Sequence, residues 1–307
     1  MKILVISSNL IGDTILSSGV INHLSKQNPN AKFTFIIGPS AEPIFKNFKP
    51  VEKMIIVAKQ KYNLHWIKIF FSCFGTNWDV IIDFRSSVIS YFLNHKKKYI
   101  FKKNKKTNHI LQLNKFFNFD CSNLFIETSK FEQDIVKKNI SQKYKYFVIF
   151  PGGNWIPKIW NINNFNVLLK RILTNNNNIK FILVGSKKEE EIYYKKITKG
   201  IENDKIINLF GETLSQTAAY MKISSLLIGN DSGLTHLASA SKLKSIVLFG
   251  PTNDKVYGPF HRDSYVIRTI ESYEYFKKIK IDKNKSYMDS ITVEKIYNLI
   301  KNKGYCA

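Results

Sequence analysis

Cysteine is scarce and badly placed for cross-linking: Cys73, Cys121 and Cys306 are odd in number and widely spaced. That excludes a disulfide framework and a zinc-ligand spacing, and it suits a reducing, cytoplasmic setting. Long apolar runs are missing too. No stretch reaches 18 apolar residues, so no segment is long enough to cross a bilayer as a helix. The opening MKILVISSNLIGD carries one lysine and a short apolar run broken by Asn9, and it reads as a first strand rather than a signal peptide. Arginine is nearly absent, with Arg85, Arg171, Arg262 and Arg268 the only ones among 47 basic residues. Acidic residues number 23, leaving a formal net charge of +24. Such a charge points to nucleic acid, an anionic membrane or an acidic substrate. The abundance of Lys, Asn, Ile, Phe and Tyr is also what an AT-rich coding bias produces. Base-specific DNA readout favours arginine, so its shortage counts against that partner, and no recognised nucleic-acid motif is present. Walker A, G-x-S-x-G and D-x-D patterns are absent. The histidines His23, His65, His95, His109, His236 and His261 show no metal-ligand spacing.

What is present is a chain of 307 residues, 44% hydrophobic and 14% aromatic, enough for two domains with real cores. Short apolar runs at Ile3–Ser7, Phe33–Ile37, Met54–Val57 and Val80–Phe84 predict strands, with a helical stripe over Thr14–Leu24. A second series predicts strands at Tyr146–Phe150, Phe181–Val184, Ile206–Leu209, Leu226–Ile228 and Ser245–Phe249. Helices are expected between them, and a last one from an N-cap at Thr292. Strand–helix alternation implies parallel sheets with crossover helices. Two Rossmann-like domains follow, residues 1–144 and 145–307, facing a cleft that could take two substrates. Within the first of these, Leu64–Phe74 is apolar and aromatic, and Lys96–Lys106 holds seven lysines among eleven residues.

Three loops carry chemistry. Gly12-Asp13-Thr14 follows the first strand. Gly12 permits a tight turn and close ligand approach. Asp13 is either the N-cap of the first helix or a carboxylate able to take a proton from an acceptor hydroxyl. Pro151-Gly-Gly-Asn-Trp-Ile-Pro-Lys158 again follows a strand. Its amides can face an anion and Lys158 can neutralise a diphosphate, or the lysine is simply solvated. Gly229-Asn-Asp231-Ser232-Gly233-Leu-Thr-His236-Leu-Ala-Ser-Ala240 runs from a strand into a helix of small residues, whose N-terminus favours phosphate. Ser232 adds a hydroxyl, and His236 lies one turn in, where a histidine is commonly packed.

Four stretches resemble glycosyltransferase family 9, the bacterial heptosyltransferases of lipopolysaccharide core synthesis: IGDTILSS, PGGNWIPKIW, GNDSGLTHLASA with LFGPT, and MDSITVEKI. The resemblance implies a GT-B fold and a metal-independent, inverting transfer without cofactor. The donor is a nucleotide sugar, ADP-heptose in this family, bound mainly by the carboxyl-terminal domain. It also implies an acceptor of the phosphorylated glycolipid kind, on the amino-terminal side of a cytoplasmic enzyme. On that side the basic Lys96–Lys106 run with the apolar Leu64–Phe74 stretch suits contact with the anionic inner membrane surface, or the two are a solvated charge run and a buried core helix. Carried over by residue, Asp13 matches the general base, with Gly12 beside it, and Lys158 faces the donor phosphates. Gly153, Asn154, Glu189, Asp231, Ser232, Gly233 and His236 match donor-binding positions, and Arg85-Ser86 echoes an acceptor-side pair. Asp13 and Lys158 fall on different domains, which closure would bring together. Asn161 and Gly19 stand where the family has prolines. Two rivals remain at this point: a same-fold nucleotide-sugar epimerase, acting on donor alone, and a basic nucleic-acid-binding protein. The second leaves the Gly-Asp and Asp-Ser-Gly loops unexplained.

Overall fold

A computed structural model describes residues 1–58, 65–104 and 106–306, apart from the side chains of His65 and Lys68. Leu64 and Lys105, which belong to two segments singled out above, lie outside the described residues. The chain divides into two units, Met1–Glu127 and Thr128–Ala307.

In the first unit five parallel strands, β1 (Lys2–Ile6), β2 (Lys32–Ile37), β3 (Val51–Ile56), β4 (Trp78–Asp83) and β5 (His95–Ile100), lie in the order β3-β2-β1-β4-β5. The helices of this unit are α1 (Ile11–Gln27), α2 (His65–Cys73) and α3 (His109–Phe117). The central strands KILVI and KFTFII are buried after their first lysine, as expected where both faces of a parallel sheet are covered. β5 was not foreseen. Its sequence, HKKKYI, occupies most of the first half of the lysine run, and as an edge strand it has only exposed and half-buried residues. Lysines on such an edge discourage further pairing.

The second unit opens with α4 (Lys130–Asn139), then β6 (Lys145–Phe150), α5 (Ile162–Asn175), β7 (Ile179–Gly185), α6 (Lys187–Ile197), β8 (Ile206–Phe210) and α7 (Leu214–Met221). It continues with β9 (Leu226–Asn230), α8 (Gly233–Ala240), β10 (Ser245–Phe249), α9 (Asp254–Tyr257), β11 (Tyr265–Arg268), α10 (Tyr273–Lys278) and α11 (Val293–Asn302). Its six strands are all parallel, in the order β11-β10-β9-β6-β7-β8. α4 groups with this unit because it is bonded to α7. The Glu132 carboxylate accepts from the Ser215 hydroxyl, and Asn139 Nδ2 donates to the Tyr220 hydroxyl at 2.9 Å. The division therefore falls earlier than residue 144.

Both sheets reverse their winding beside the first strand of the unit, between β1 and β4 and between β6 and β9. These two α/β units are of the Rossmann-like type that makes up the GT-B class. In such sheets the crevice for ligands opens at the carboxyl ends of the strands flanking the reversal. Asp13 lies in the first turn of α1, just past β1, and the loops after β4, β6 and β9 carry Arg85, Lys158 and Asp231 respectively.

Candidate active site

In the second unit the loops after β6 and β9 are one construction. Asn230, the last residue of β9, is fully buried. Its amide nitrogen donates to the carbonyls of Pro151 (2.8 Å) and Gly152 (2.9 Å), and its side-chain oxygen accepts from the Trp160 backbone N–H at 3.0 Å. All three bonds run from the β9 terminus to the β6 loop, so the two loops cannot shift independently. Lys158, at the end of a 3₁₀ turn over Ile156–Lys158, then places Nζ 3.5 Å from Asp231 Oδ2. Both side chains are largely sheltered, at 12% and 8% exposure, so this pairing is far less screened than a surface one. Ser232 caps α8, its hydroxyl accepting from Leu234 N at 3.1 Å. Gly233 is the first residue of α8, and His236 is buried one turn in. The site thus offers an ammonium and a helix N-terminus side by side, the equipment for an anionic phosphate group.

Glu189 is built into the same loop. It lies at the third position of α6 in a capping box with Ser186, whose N–H and hydroxyl donate to Oε2 at 2.7 and 2.8 Å. Its other oxygen, Oε1, accepts from Gly153 N at 2.7 Å. A Cβ at Gly152 would meet that oxygen at 2.0 Å, so only glycine permits the approach. Asn154 is exposed beyond this contact.

The carboxyl-terminal segment closes the same piece. Ser286 Oγ donates to Ile159 O at 2.7 Å, and the Trp160 indole donates to Ile291 O at 2.8 Å. Gly250 of the LFGPT stretch lies so close to Met288 that a Cβ would meet its sulfur at 2.4 Å. Arg268, at the end of β11, donates to Gly250 O, Thr252 O and Asp254 Oδ1 at 2.6, 2.9 and 2.6 Å and holds that loop.

In the first unit Asp13 is not the N-cap of α1. The helix begins at Ile11 with Leu10 at the cap, which puts Asp13 at the third helical position, where a carboxylate complements the helix dipole. The start lies earlier because Ser8 and Thr14 tie the loop from the sides: Leu10 N donates to Ser8 Oγ (3.1 Å) and Thr14 Oγ1 to Ser8 O (3.0 Å). Gly12 precedes Asp13 in this same first turn. Asp13 Oδ1 accepts from Lys103 Nζ at 2.7 Å, with His109 Nδ1 at 4.0 Å. One lysine of the charge run therefore belongs to the site.

Arg85 donates to Asn9 Oδ1 at 3.2 Å, joining the loops after β4 and β1. Its own loop hangs on Asp83, which is completely buried and accepts from Arg85 N (2.8 Å), Ser87 N (2.7 Å) and Ser87 Oγ (2.6 Å). The turn is tight enough to drive Ser86 to φ 52°. Burial lowers the Arg85 pKa, and the neighbouring Asp83 carboxylate works in the opposite direction.

Asn230, Lys103 and Arg268 were not singled out from the sequence. Asn230 lies inside a quoted motif but acts on residues some 70–80 positions away. Lys103 is one of several like neighbours, and Arg268 ends a strand of four residues. Among the described residues no group of three or more His, Cys, Asp or Glu side chains could hold a metal ion.

The chain matches the family model of glycosyltransferase family 9 (heptosyltransferase) over residues 83–288. It is similar to lipopolysaccharide heptosyltransferase 1 of Campylobacter coli, 26% identical over 344 aligned positions that cover 98% of each chain. Among solved structures, a family 9 glycosyl transferase from Veillonella parvula superposes with a TM-score of 0.79 at 20% identity, over 98% of this chain and 96% of the other. An E. coli heptosyltransferase solved with ADP superposes at 0.76 and 16% identity, over 98% and 99%. With the family's match running from β4 through both loops of the Lys158–Asp231 site to Met288, this chain belongs to glycosyltransferase family 9 and is a glycosyltransferase.

Proposed function

We propose that the chain transfers heptose, with inversion, from ADP-heptose to a lipopolysaccharide-core or related phosphorylated glycolipid acceptor, at the cytoplasmic face of the inner membrane. The observation that carries this is the sheltered Lys158–Asp231 pair beside the α8 N-terminus, an anion site at the sheet's winding reversal. The donor assignment is supported by relatives named as heptosyltransferases and by one solved with ADP.

In this reading an acceptor hydroxyl oxygen attacks the anomeric carbon. The bond from that carbon to the diphosphate breaks, and ADP leaves with the electron pair. Asp13 takes the hydroxyl proton, while Lys103 holds its carboxylate in place at 2.7 Å. Lys158 and the α8 amides stabilise the charge gathering on the leaving diphosphate. Positioned donors of this kind contribute about 3–4 kcal/mol each, and the reading calls on no metal or cofactor for that task.

Asp13→Asn keeps the shape and loses the base, so kcat falls by about 10²–10⁴-fold while ADP affinity is unchanged. Turnover equal to wild type would remove Asp13 from that role. A thermal-shift series with ADP, UDP and GDP sugars tests the donor: the true one, at about 100 times its Kd, stabilises by about 2.7 kcal/mol. Donor converted to an isomeric sugar without any acceptor would favour an epimerase instead.

A further inference from the structure

The first unit carries an apolar face that transfer chemistry does not use. Ile67 and Phe71 on α2 and Phe74 just past its end, with Val88, Tyr91 and Phe92 on the turn that follows β4, are each 56–71% exposed. Between the two elements runs a groove of about 650 Å³, floored by Trp66, Phe70 and Ile89 and ending at Arg85. The Arg85 guanidinium stacks 5.1 Å from the Trp66 ring, and Lys98 Nζ sits 4.2 Å over Tyr91. Lys97 is exposed on the adjoining edge strand β5. Apolar side chains concentrated this way in water mark a contact surface.

We infer that α2 and the 88–92 turn form a wedge that inserts into the hydrocarbon boundary of an anionic lipid bilayer, with Lys97, Lys98 and Arg85 reaching the headgroups behind it. Charge complementarity selects this occupant. The groove lining contains one cation, Arg85, with aromatics and no acidic residue; Lys98 over Tyr91 and Lys97 on β5 add positive charge beside it, and such a face matches an anionic leaflet. Geometry sets the mode of contact. α2 has nine residues, about 14 Å of helix at about 1.5 Å per residue, against a hydrocarbon core of about 30 Å. It therefore lies in the interface and does not cross. Among the described residues no helix is long and apolar enough to span. The inference shares its leaflet with the glycolipid reading and gives that reading a definite surface, but the wedge itself is argued from the first unit alone.

The test uses the full chain with phosphatidylethanolamine vesicles, with and without phosphatidylglycerol, and with no glycolipid present. Wild-type protein partitions onto the anionic vesicles and keeps a substantial part of that binding at about 1 M salt, where surface charges are screened beyond about 3 Å. Phe71→Ser and Phe92→Ser each lower the partition coefficient by about tenfold, the effect of withdrawing most of a ring from burial. Bromine placed on the acyl chains quenches Trp66 fluorescence, and Trp66→Phe removes that quenching. With a soluble, deacylated acceptor the two Phe variants turn over like wild type. Absence of turnover in every form would defeat the heptosyl reading and leave the partition result standing. Binding that vanishes in high salt and ignores both substitutions would overturn the wedge. So would self-association of the chain that Phe71→Ser abolishes, since the face would then be a contact between copies.

Discussion

Asn230→Asp is the sharpest perturbation of the Lys158–Asp231 site, because it changes one atom group and almost no volume. The side-chain oxygen facing Trp160 N at 3.0 Å is kept. The amide that donates to Pro151 O and Gly152 O becomes a carboxylate oxygen pointed at two carbonyls. Two hydrogen bonds are lost, at about 1 kcal/mol each, and a charge is left buried without a partner, so the total is about 3–5 kcal/mol. At about 2–4 °C per kcal/mol for a domain of this size, Tm falls by roughly 6–20 °C. The pH dependence has a definite sign. Only the protonated carboxyl can donate to a carbonyl, so its folded pKa rises above the unfolded value of about 3.9. The defect is therefore smallest in acid and grows as pH rises through that raised pKa. Because the same bonds hold the loop bearing Lys158, ADP affinity falls alongside, by about tenfold for every 1.4 kcal/mol of ordering lost. Calorimetric unfolding between acid and neutral pH, paired with ADP titration, reads both. A variant within about 2 °C of wild type at every pH, with ADP affinity intact, would refute the claim that Asn230 joins the two loops.

Two further outcomes follow from the geometry. Gly152→Ala brings a Cβ within 2.0 Å of Glu189 Oε1, so the carboxylate must leave Gly153 N or the loop must shift, at about 1–3 kcal/mol, and ADP titration should show weaker binding with the Asp13 side undisturbed; unchanged affinity would mean that the Glu189–Gly153 contact does not shape the site. Burial pushes the Cys73 and Cys121 thiols up to about 11 and about 12, so alkylation at pH about 8 labels Cys306 first and leaves those two untouched until the chain unfolds, which mass spectrometry of the modified peptides would check.

The fold was legible where strands are buried on both faces. KYFVIF and SIVLF are buried almost throughout, and a continuous apolar run of that length has few other uses. β5 escaped because, as an edge strand, none of its residues is fully buried and three of its six are lysines, which leaves no apolar run to read. β11 escaped because it has four residues, of which Ile267 alone is fully buried. The start of α1 was read three residues late, since Leu10 makes no side-chain capping bond and Asp13 offers capping chemistry directly before the apolar stripe. Two departures from the family pattern have local reasons. Asn161 caps α5, accepting from Asn163 N at 2.9 Å. Gly19 lets α1 approach Cys121, whose carbonyl oxygen lies 1.8 Å from where a Cβ would be.

The loops of the second unit read more clearly than those of the first for a reason found in their bonding. In the second unit most of the bonds that tie the site together join a side chain to a backbone group: Asn230 to Pro151, Gly152 and Trp160, Glu189 to Gly153, Trp160 to Ile291, Ser286 to Ile159. A backbone group is present whatever residue bears it, so each bond demands one particular side chain at one place and leaves a fixed pattern of letters. In the first unit backbone bonds to Asp83 and Ser8 shape the two loops, but the contacts made by Asp13 and by the Arg85 guanidinium pair two side chains, Asp13 with Lys103 and Arg85 with Asn9. Such a pair can be met by other charge or amide combinations, and its members come from separate loops with no set spacing. The lysine run hid Lys103 for the same reason that coding bias hides function in a basic chain: composition counts charges, whereas the site depends on which one of them reaches Asp13.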